Sequence, residues 1–192
     1  MSVNAALRDY FLTRRSVGIA FLREPGPNAG ELAELLTIGT RVPDHGKLAP
    51  WRLVIIEGDA RSRAGARLAE IALRRHPALD EAGLDIERRQ FLPAPLTIGV
   101  IFCPKQSAKA PELEQLLSAG NVCFNLVNAA FALGFAASWV TRWFGFDLEA
   151  QQMLGARGGE RFVGFVHIGS TELKPDDRER PNLVDVVSRW QG

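Results

Sequence analysis

Residues 111–134 read PELEQLLSAGNVCFNLVNAAFALG. Pro111 suits a first helical turn and Gly134 suits a C-terminal cap, so the stretch reads as one long helix. Beyond Ser118 it is apolar nearly all round. A helix of that kind cannot lie on a surface and has to be enclosed by other elements. The chain must therefore build layers around it. Its 192 residues are enough for one domain with a full hydrophobic core.

The rest of the sequence supplies those layers. Residues 3–13 place Val3, Ala6, Leu7, Tyr10 and Phe11 at helical spacing, with Asn4 as cap, and RRSV ends the helix. REPGPNAG (23–30) is a loop built on Pro and Gly. Residues 29–40 form a second helix with Leu32, Leu35, Leu36 and Gly39 on one side. RLVIIEG (52–58) is a strand, and 59–76 is a surface helix whose Arg61, Arg63, Arg67, Arg74 and Arg75 form a solvated face. Further strands are expected within 91–104 and 160–170; FAASWVT (135–141) leads into a loop and DLEAQQMLG is a short helix. Long helices mixed with a few separated strands indicate an α/β or α+β layered fold. The tail carries Leu183, Val184, Val186, Val187 and Trp190, too apolar for a free linker, so it packs on something, a partner subunit included.

Several function classes drop out. Net charge is +1, without the basic excess of a nucleic-acid binder. The two cysteines, Cys103 and Cys123, lie in apolar surroundings with no zinc-type spacing, and read as buried free thiols of a reducing compartment. No apolar run is long enough to span a bilayer, and the N-terminus lacks the order of a signal peptide, so a cytoplasmic protein is expected. GxGxxG after a strand, GxxxxGK[ST], GxSxG and HExxH are all missing. No acid pair marks itself as catalytic, and no metal site is expected.

What remains is polar chemistry at helix ends and loops. RVPDHGKLAPWRL (41–53) sets Arg41, Asp44, His45 and Lys47 between a helix and a core strand. RRS gives Arg14, Arg15 and Ser16 in a row, and RER adds Arg178 and Arg180. Arg forks hold phosphate bidentately. Plainer readings stand beside these. RRS also suits a solvated helix C-terminus, where the dipole favours cations. Asp44 can cap a turn after Pro43. His45 and His167 can be structural, and Trp51 core. Trp139 and Trp143 are either core or a flat wall against a planar ligand.

Taken together and in this order, the pieces resemble the FMN-dependent nitroreductase family, in its small single-domain branch. The likeness rests on RRSV, on RVPDHGKLAPWRLVIIEG, on SAGNVCFNLVNAAFALGFAASWVT and on VGFVHIGS, and covers nearly the whole chain. The R-x-P-D-H…P-W block is its most specific part. The resemblance implies an α+β three-layer sandwich, a central mostly antiparallel sheet flanked by helices. Residues 1–192 would form a single FMN-binding domain in an intertwined homodimer, with tail 171–192 extending over the partner. Each FMN site would be built from both subunits. Arg14, Arg15 and Ser16 would grip the FMN phosphate and ribityl chain. Arg41 and His45 would also reach the flavin. Trp139, Val140 and Thr141 would lie along the isoalloxazine ring, where the branch often has WRS and this chain has WVT. Arg178 and Arg180 match loosely the basic tail residues that complete the phosphate site.

The activity so implied is NAD(P)H-driven reduction of nitroaromatics, quinones or related small acceptors by a ping-pong cycle. FMN carries the redox chemistry, which leaves no catalytic side chain to find. Two other readings follow from the same resemblance. One is a flavin-binding dimer without turnover, for storage or sensing. The other is a flavoenzyme of the same fold with a different reaction, whose extra lid could only be residues 74–91.

Overall fold

The computed structural model describes residues 2–192. Along the chain run α1 (Ala5–Thr13), α2 (Ala29–Gly39), β1 (Trp51–Glu57), α3 (Ala60–Arg75), α4 (Glu81–Arg88), β2 (Leu96–Phe102), α5 (Glu112–Ala132), β3 (Ala136–Val140), α6 (Leu148–Met153), β4 (Arg161–Gly169) and α7 (Leu183–Val186). Short 3₁₀ turns sit at Ile19–Phe21 and Trp143–Gly145. These elements fall into two compact units, Ser16–Leu173, and residues 2–15 with Lys174–Gly192.

In the larger unit the four strands make one antiparallel sheet in the order β1-β2-β4-β3. All seven residues of β2 are buried, because helices cover both faces of the sheet. Leu96, Ile98 and Val100 face α2 and α5, where Leu35, Val122, Leu126 and Val127 complete a core cluster. The pairing of β2 with β4 slips between Val100 and Ile101. Ile101 joins the opposite cluster, with Leu68 and Ile71 of α3 and the rings of Phe91, Phe144 and Phe165. The layers make an α+β sandwich, as the sequence implied.

The local signals explain the helix ends. Asn28 caps α2 and Glu31 returns the favour to the Asn28 N–H, a capping box. Pro111 starts α5, and Gly134 (φ 84°) follows it in the left-handed conformation of a helix stop. At Gly39 a Cβ would lie 2.3 Å from Leu126 Cδ2, so a bare backbone is what lets α2 lie close on α5.

Three expectations need correction. FAASWVT does not simply lead into a loop; Ala136–Val140 is an edge strand paired to β4. The 74–91 segment contains α4, capped by Asp80 and packed so tightly on α3 that a Cβ at Gly65 would meet the Arg88 carbonyl at 1.9 Å. And α5 is central but not enclosed all round. Leu113, Leu117 (59% exposed) and Phe124 form an uncovered apolar stripe. Among the described residues no helix is long and apolar enough to cross a membrane.

The smaller unit holds α1 and α7. Asn4 caps α1 by accepting from the Leu7 N–H. No residue of either helix is buried.

Candidate flavin site

The loop after α2 is moored by α5. Ser118 Oγ donates to the Pro43 carbonyl at 2.5 Å, and Asn125 Nδ2 donates to the carbonyls of Ile38 (2.6 Å) and Arg41 (3.2 Å). Asp44 does what a turn-capping acid does: its two carboxylate oxygens accept from the N–H groups of Leu48 and Ala49. This closes a tight loop in which Gly46, Lys47 (φ 55°) and Ala49 (φ 42°) all adopt positive φ. Two non-glycine residues held that way cost conformational energy, and such strain gathers at functional segments. The loop displays Arg41 and His45, both exposed. His45 Nδ1 lies 2.8 Å from Glu114 Oε2, which orients the ring and leaves Nε2 for a ligand.

The outer edge of β3 meets the start of the unit. The Val17 N–H donates to the Ala137 carbonyl, and the Val17 side chain is buried, so Ser16 stands beside β3. Two residues further along the strand, Trp139 packs its indole against Gly164, where a Cβ would sit 2.0 Å from Nε1. Trp139 and Thr141 line an apolar groove of about 760 Å³ between α5 and β4, with Leu117, Phe124, Phe146 and Phe162 among its walls. That volume lies in the range of roughly 300–1,000 Å³ common for small-molecule sites. The turn that follows is fixed from behind. Phe144 is wholly buried against Phe91 and Phe165, and the Trp143 indole donates to Glu87 Oε2 at 2.8 Å.

One buried polar group and one partly buried ion pair back this region. His167 is wholly buried; its Nδ1 is 2.9 Å from Thr97 Oγ1, and its Nε2 has no partner among the described residues. Burial first, and the nearby Arg142 charge second, push its pKa down to about 3, so the ring is neutral, a structural histidine as its strand setting suggested. At the groove's other end Arg52 forks onto Glu160, Nη2 to Oε2 at 2.6 Å and Nε to Oε1 at 3.1 Å. That pairing, opposed by burial and helped by the Arg157 N–H, holds the Glu160 carboxyl down at about 2. Burial and the adjacent Glu160 push the Cys103 thiol up to about 11. Cys103 and Cys123 are both buried free thiols.

The remaining named residues lie in the smaller unit. Arg15 Nη1 donates to the Asp176 carbonyl, which draws the end of α1 to the tail. Arg180 pairs with Asp177 at 3.1 Å, and the Arg178 N–H donates to the same carboxylate. These bonds hold Asp177 below the usual carboxylate range. Arg14 caps α1 through its N–H to the Tyr10 carbonyl.

So the named residues assemble as two groups, Arg14, Arg15, Arg178 and Arg180 in one unit, and Ser16, Arg41, His45, Trp139, Val140 and Thr141 in the other. Taken separately, the first group offers guanidinium forks of the kind that hold phosphate, and the second an aromatic wall with adjacent strand amides. Sequence reasoning passed over the groove, Gly164 and Arg142. The one available signal was glycine at 145 and 164, positions where a Cβ would strike Thr141 and Trp139.

Comparison with known proteins identifies the family and the fold. Residues 12–170 match the profile of the nitroreductase family. The chain is 32% identical over 166 residues to the Escherichia coli protein named "Putative NAD(P)H nitroreductase YdjA", covering 86% of this chain and 88% of that one. The crystal structure of a nitroreductase-like family protein from Bacillus cereus superposes with a TM-score of 0.80 at 21% identity over the full length of both chains. A nitroreductase with bound FMN from Bacteroides fragilis gives 0.69 at 20% identity, over 98% of this chain and 100% of that one. These two structures share the fold.

Proposed function

The chain belongs to the nitroreductase family, and from that premise we propose that it is an FMN-dependent oxidoreductase, one that uses NAD(P)H to reduce nitroaromatics, quinones or related acceptors by a ping-pong cycle. The observation that carries the reading is the moored, strained loop at 41–49. Three side chains, Ser118, Asn125 and Asp44, hold a costly backbone so that Arg41 and His45 stay displayed. When bound, FMN would supply the electron transfer between donor and acceptor.

The chain's own residues bind and orient. Arg14 and Arg15 grip the phosphate and Ser16 the ribityl chain, with Arg178 and Arg180 completing the charge. Arg41 and His45 reach the flavin from the loop. Trp139 gives the ring a wall, and the backbone amides at Val140 and Thr141 stabilise negative charge on its edge. Residues 1–192 act as a single domain in a homodimer, with tail 171–192 laid over the partner. The apolar stripe on α5 and the apolar rim at Phe146 and Leu148 support a second subunit, since monomers rarely leave such surface bare. Buried free thiols support a reducing, cytoplasmic setting.

The first test is an absorbance spectrum of the purified protein, then anaerobic addition of NADH and NADPH. We expect a flavin spectrum that bleaches quickly with at least one donor. A flavin that persists with both would favour storage or sensing, and a colourless protein that refuses added FMN would sink the proposal. The second test ranks the contacts. Arg14→Ala or Arg15→Ala should leave folded protein with reduced FMN occupancy after dialysis. His45→Ala should lose less, because each guanidinium makes charge-assisted bonds to phosphate that one imidazole does not replace. Full occupancy in both Arg variants, or complete loss in the His variant alone, would overturn that order.

A further inference from the structure

We propose that a second cavity, between α3, α4 and the turn at Trp143, binds a small organic cation, a primary amine carried on a flat apolar body. The inference goes beyond the reductase reading and does not depend on it.

Three observations meet in this cavity. The first is space. It holds about 550 Å³, within the range of roughly 300–1,000 Å³ common for small-molecule sites. It lies wholly within Ser16–Leu173 and shares no residue with the groove beside Trp139 or with the residues named for FMN. Ala72 and Leu79 give it apolar surface. Ala72 is buried on a helix that elsewhere buries Leu68 and Ile71, and its single methyl leaves the space open.

The second is an aromatic wall. Trp143 lines the cavity, and its indole is fixed in place by its N–H bond to Glu87 Oε2 and by the buried Phe144 beside it. A fixed indole gives a flat apolar body a stacking partner and attracts a cation to its face.

The third is charge. Two acids line the cavity, and one of them is matched. Asp147 Oδ2 lies 3.1 Å from Arg75 Nε, and its Oδ1 accepts from the Ala150 N–H. Arg75 in turn divides itself between Asp147 and Glu149. Glu87 is different. It accepts from neutral donors only, the Trp143 indole and the Gln90 amide at 3.0 Å, both at Oε2. Among the described residues no lysine, arginine or histidine pairs with it, and that includes His76 of the same cavity. It is half-buried in the last turn of α4, where the helix dipole disfavours an anion. A carboxylate held there with Oε1 unused and no counter-ion is matched by a cation from outside. A guanidinium fork needs both carboxylate oxygens and Oε2 is taken, so a primary ammonium fits better.

The test is calorimetric titration of the FMN-supplemented protein with 2-phenylethylammonium and with 2-phenylethanol, its neutral counterpart, at low ionic strength. The amine should bind about tenfold tighter than the alcohol, the size of one charge-assisted hydrogen bond, and salt should shrink the difference. Glu87→Gln keeps an oxygen for the indole and the Gln90 amide but removes the charge, and should bring the amine down to the affinity of the alcohol. Leu79→Lys supplies an ammonium from the cavity's own wall and should remove the same advantage, so a Glu87→Gln protein that fails to fold does not end the test. No saturable binding of the amine, equal affinities in the native protein, or an advantage that survives in whichever variant folds would overturn the proposal. So would a change in the flavin spectrum on adding amine with an affinity indifferent to both substitutions, since the amine would then sit on the flavin.

Discussion

Leu126 and Trp190 are both large apolar side chains, and the two units of this chain treat them in opposite ways. In Ser16–Leu173, Leu126 is wholly buried between α2, α5 and the sheet, with Ile98 and Val166 in the same cluster. In the other unit Trp190 is 91% exposed, Val184 is 86% exposed, and α1 buries none of its residues. Burying one such side chain is worth roughly 1.5–3 kcal/mol, so leaving several in water forgoes a large stabilisation. The larger unit gains its stability from its own side chains. The smaller one leaves the same kind of surface exposed, which is what the proposed second subunit would cover.

The sharpest way to break this contrast is inside the larger unit. Leu126→Ala removes a side chain that touches two layers, and should cost about 2–5 kcal/mol, seen as a lower urea midpoint at unchanged slope. A loss under about 1 kcal/mol would mean that the site collapses freely and is not the rigid half of the comparison.

How much of this the sequence disclosed depended on whether a segment's pattern was set locally. The α1 cap, the α5 start and stop, and the β2 run are local signals, and each is where it was expected. β3 was not recognised as a strand because AASWV has no alternation: Ala136 and Ala137 are small where α5 and the loop before α2 press on them, a constraint set by distant residues. α4 was hidden by Gly83 and a dense run of charges. What holds it is the bare backbone of Gly65, far away in sequence. The same division applies to the site. The cations could be named from the sequence, since an arginine displays its chemistry wherever it sits. The groove could not, because its walls come from α5, β3 and β4 at once. Nor could the conformation of Arg142, which is imposed by the anchoring of Phe144 and Trp143 behind it.

Two smaller effects probe how the larger unit handles charge and strain. Glu160 is held at about 2, against its ordinary 4.5, chiefly by the Arg52 fork. Its depressed value means that stability is fully present above pH 4.5 and drains away as pH falls toward 2. Glu160→Gln should lose about 1.5 kcal/mol at pH 7, the order of one hydrogen bond to a charged group, and should lack that part of the acid slope. An acid profile parallel to that of the native protein would remove Glu160 from the account. Arg142→Gly works in the other direction, because Arg142 holds φ 62° and ψ 168°, a region essentially reserved for glycine. Relief of the glycine-only backbone, less the extra freedom glycine brings to the unfolded chain, should leave a net gain of about 1 kcal/mol in denaturant midpoint. No gain would show that the turn relaxes around arginine in solution and that no strain is stored there.

The smallest expected effect tests the other half of the comparison. Trp190→Ser changes a residue that is nearly all in water within the chain, so dilute, dissociated protein should keep its unfolding midpoint within about 0.5 kcal/mol. If the tail lies over a partner, the same substitution should act elsewhere: in sedimentation the dimer should dissociate at higher concentration, and FMN should be lost faster on dialysis. The two readouts separate the possible outcomes. A destabilised monomer would mean that the tail packs on its own chain in solution, and the contrast between the units would fail. An unchanged monomer with an unchanged dimer would leave the contrast standing but remove Trp190 from the interface. An unchanged monomer with a weakened dimer is the outcome expected of apolar surface that one chain exposes for another to cover.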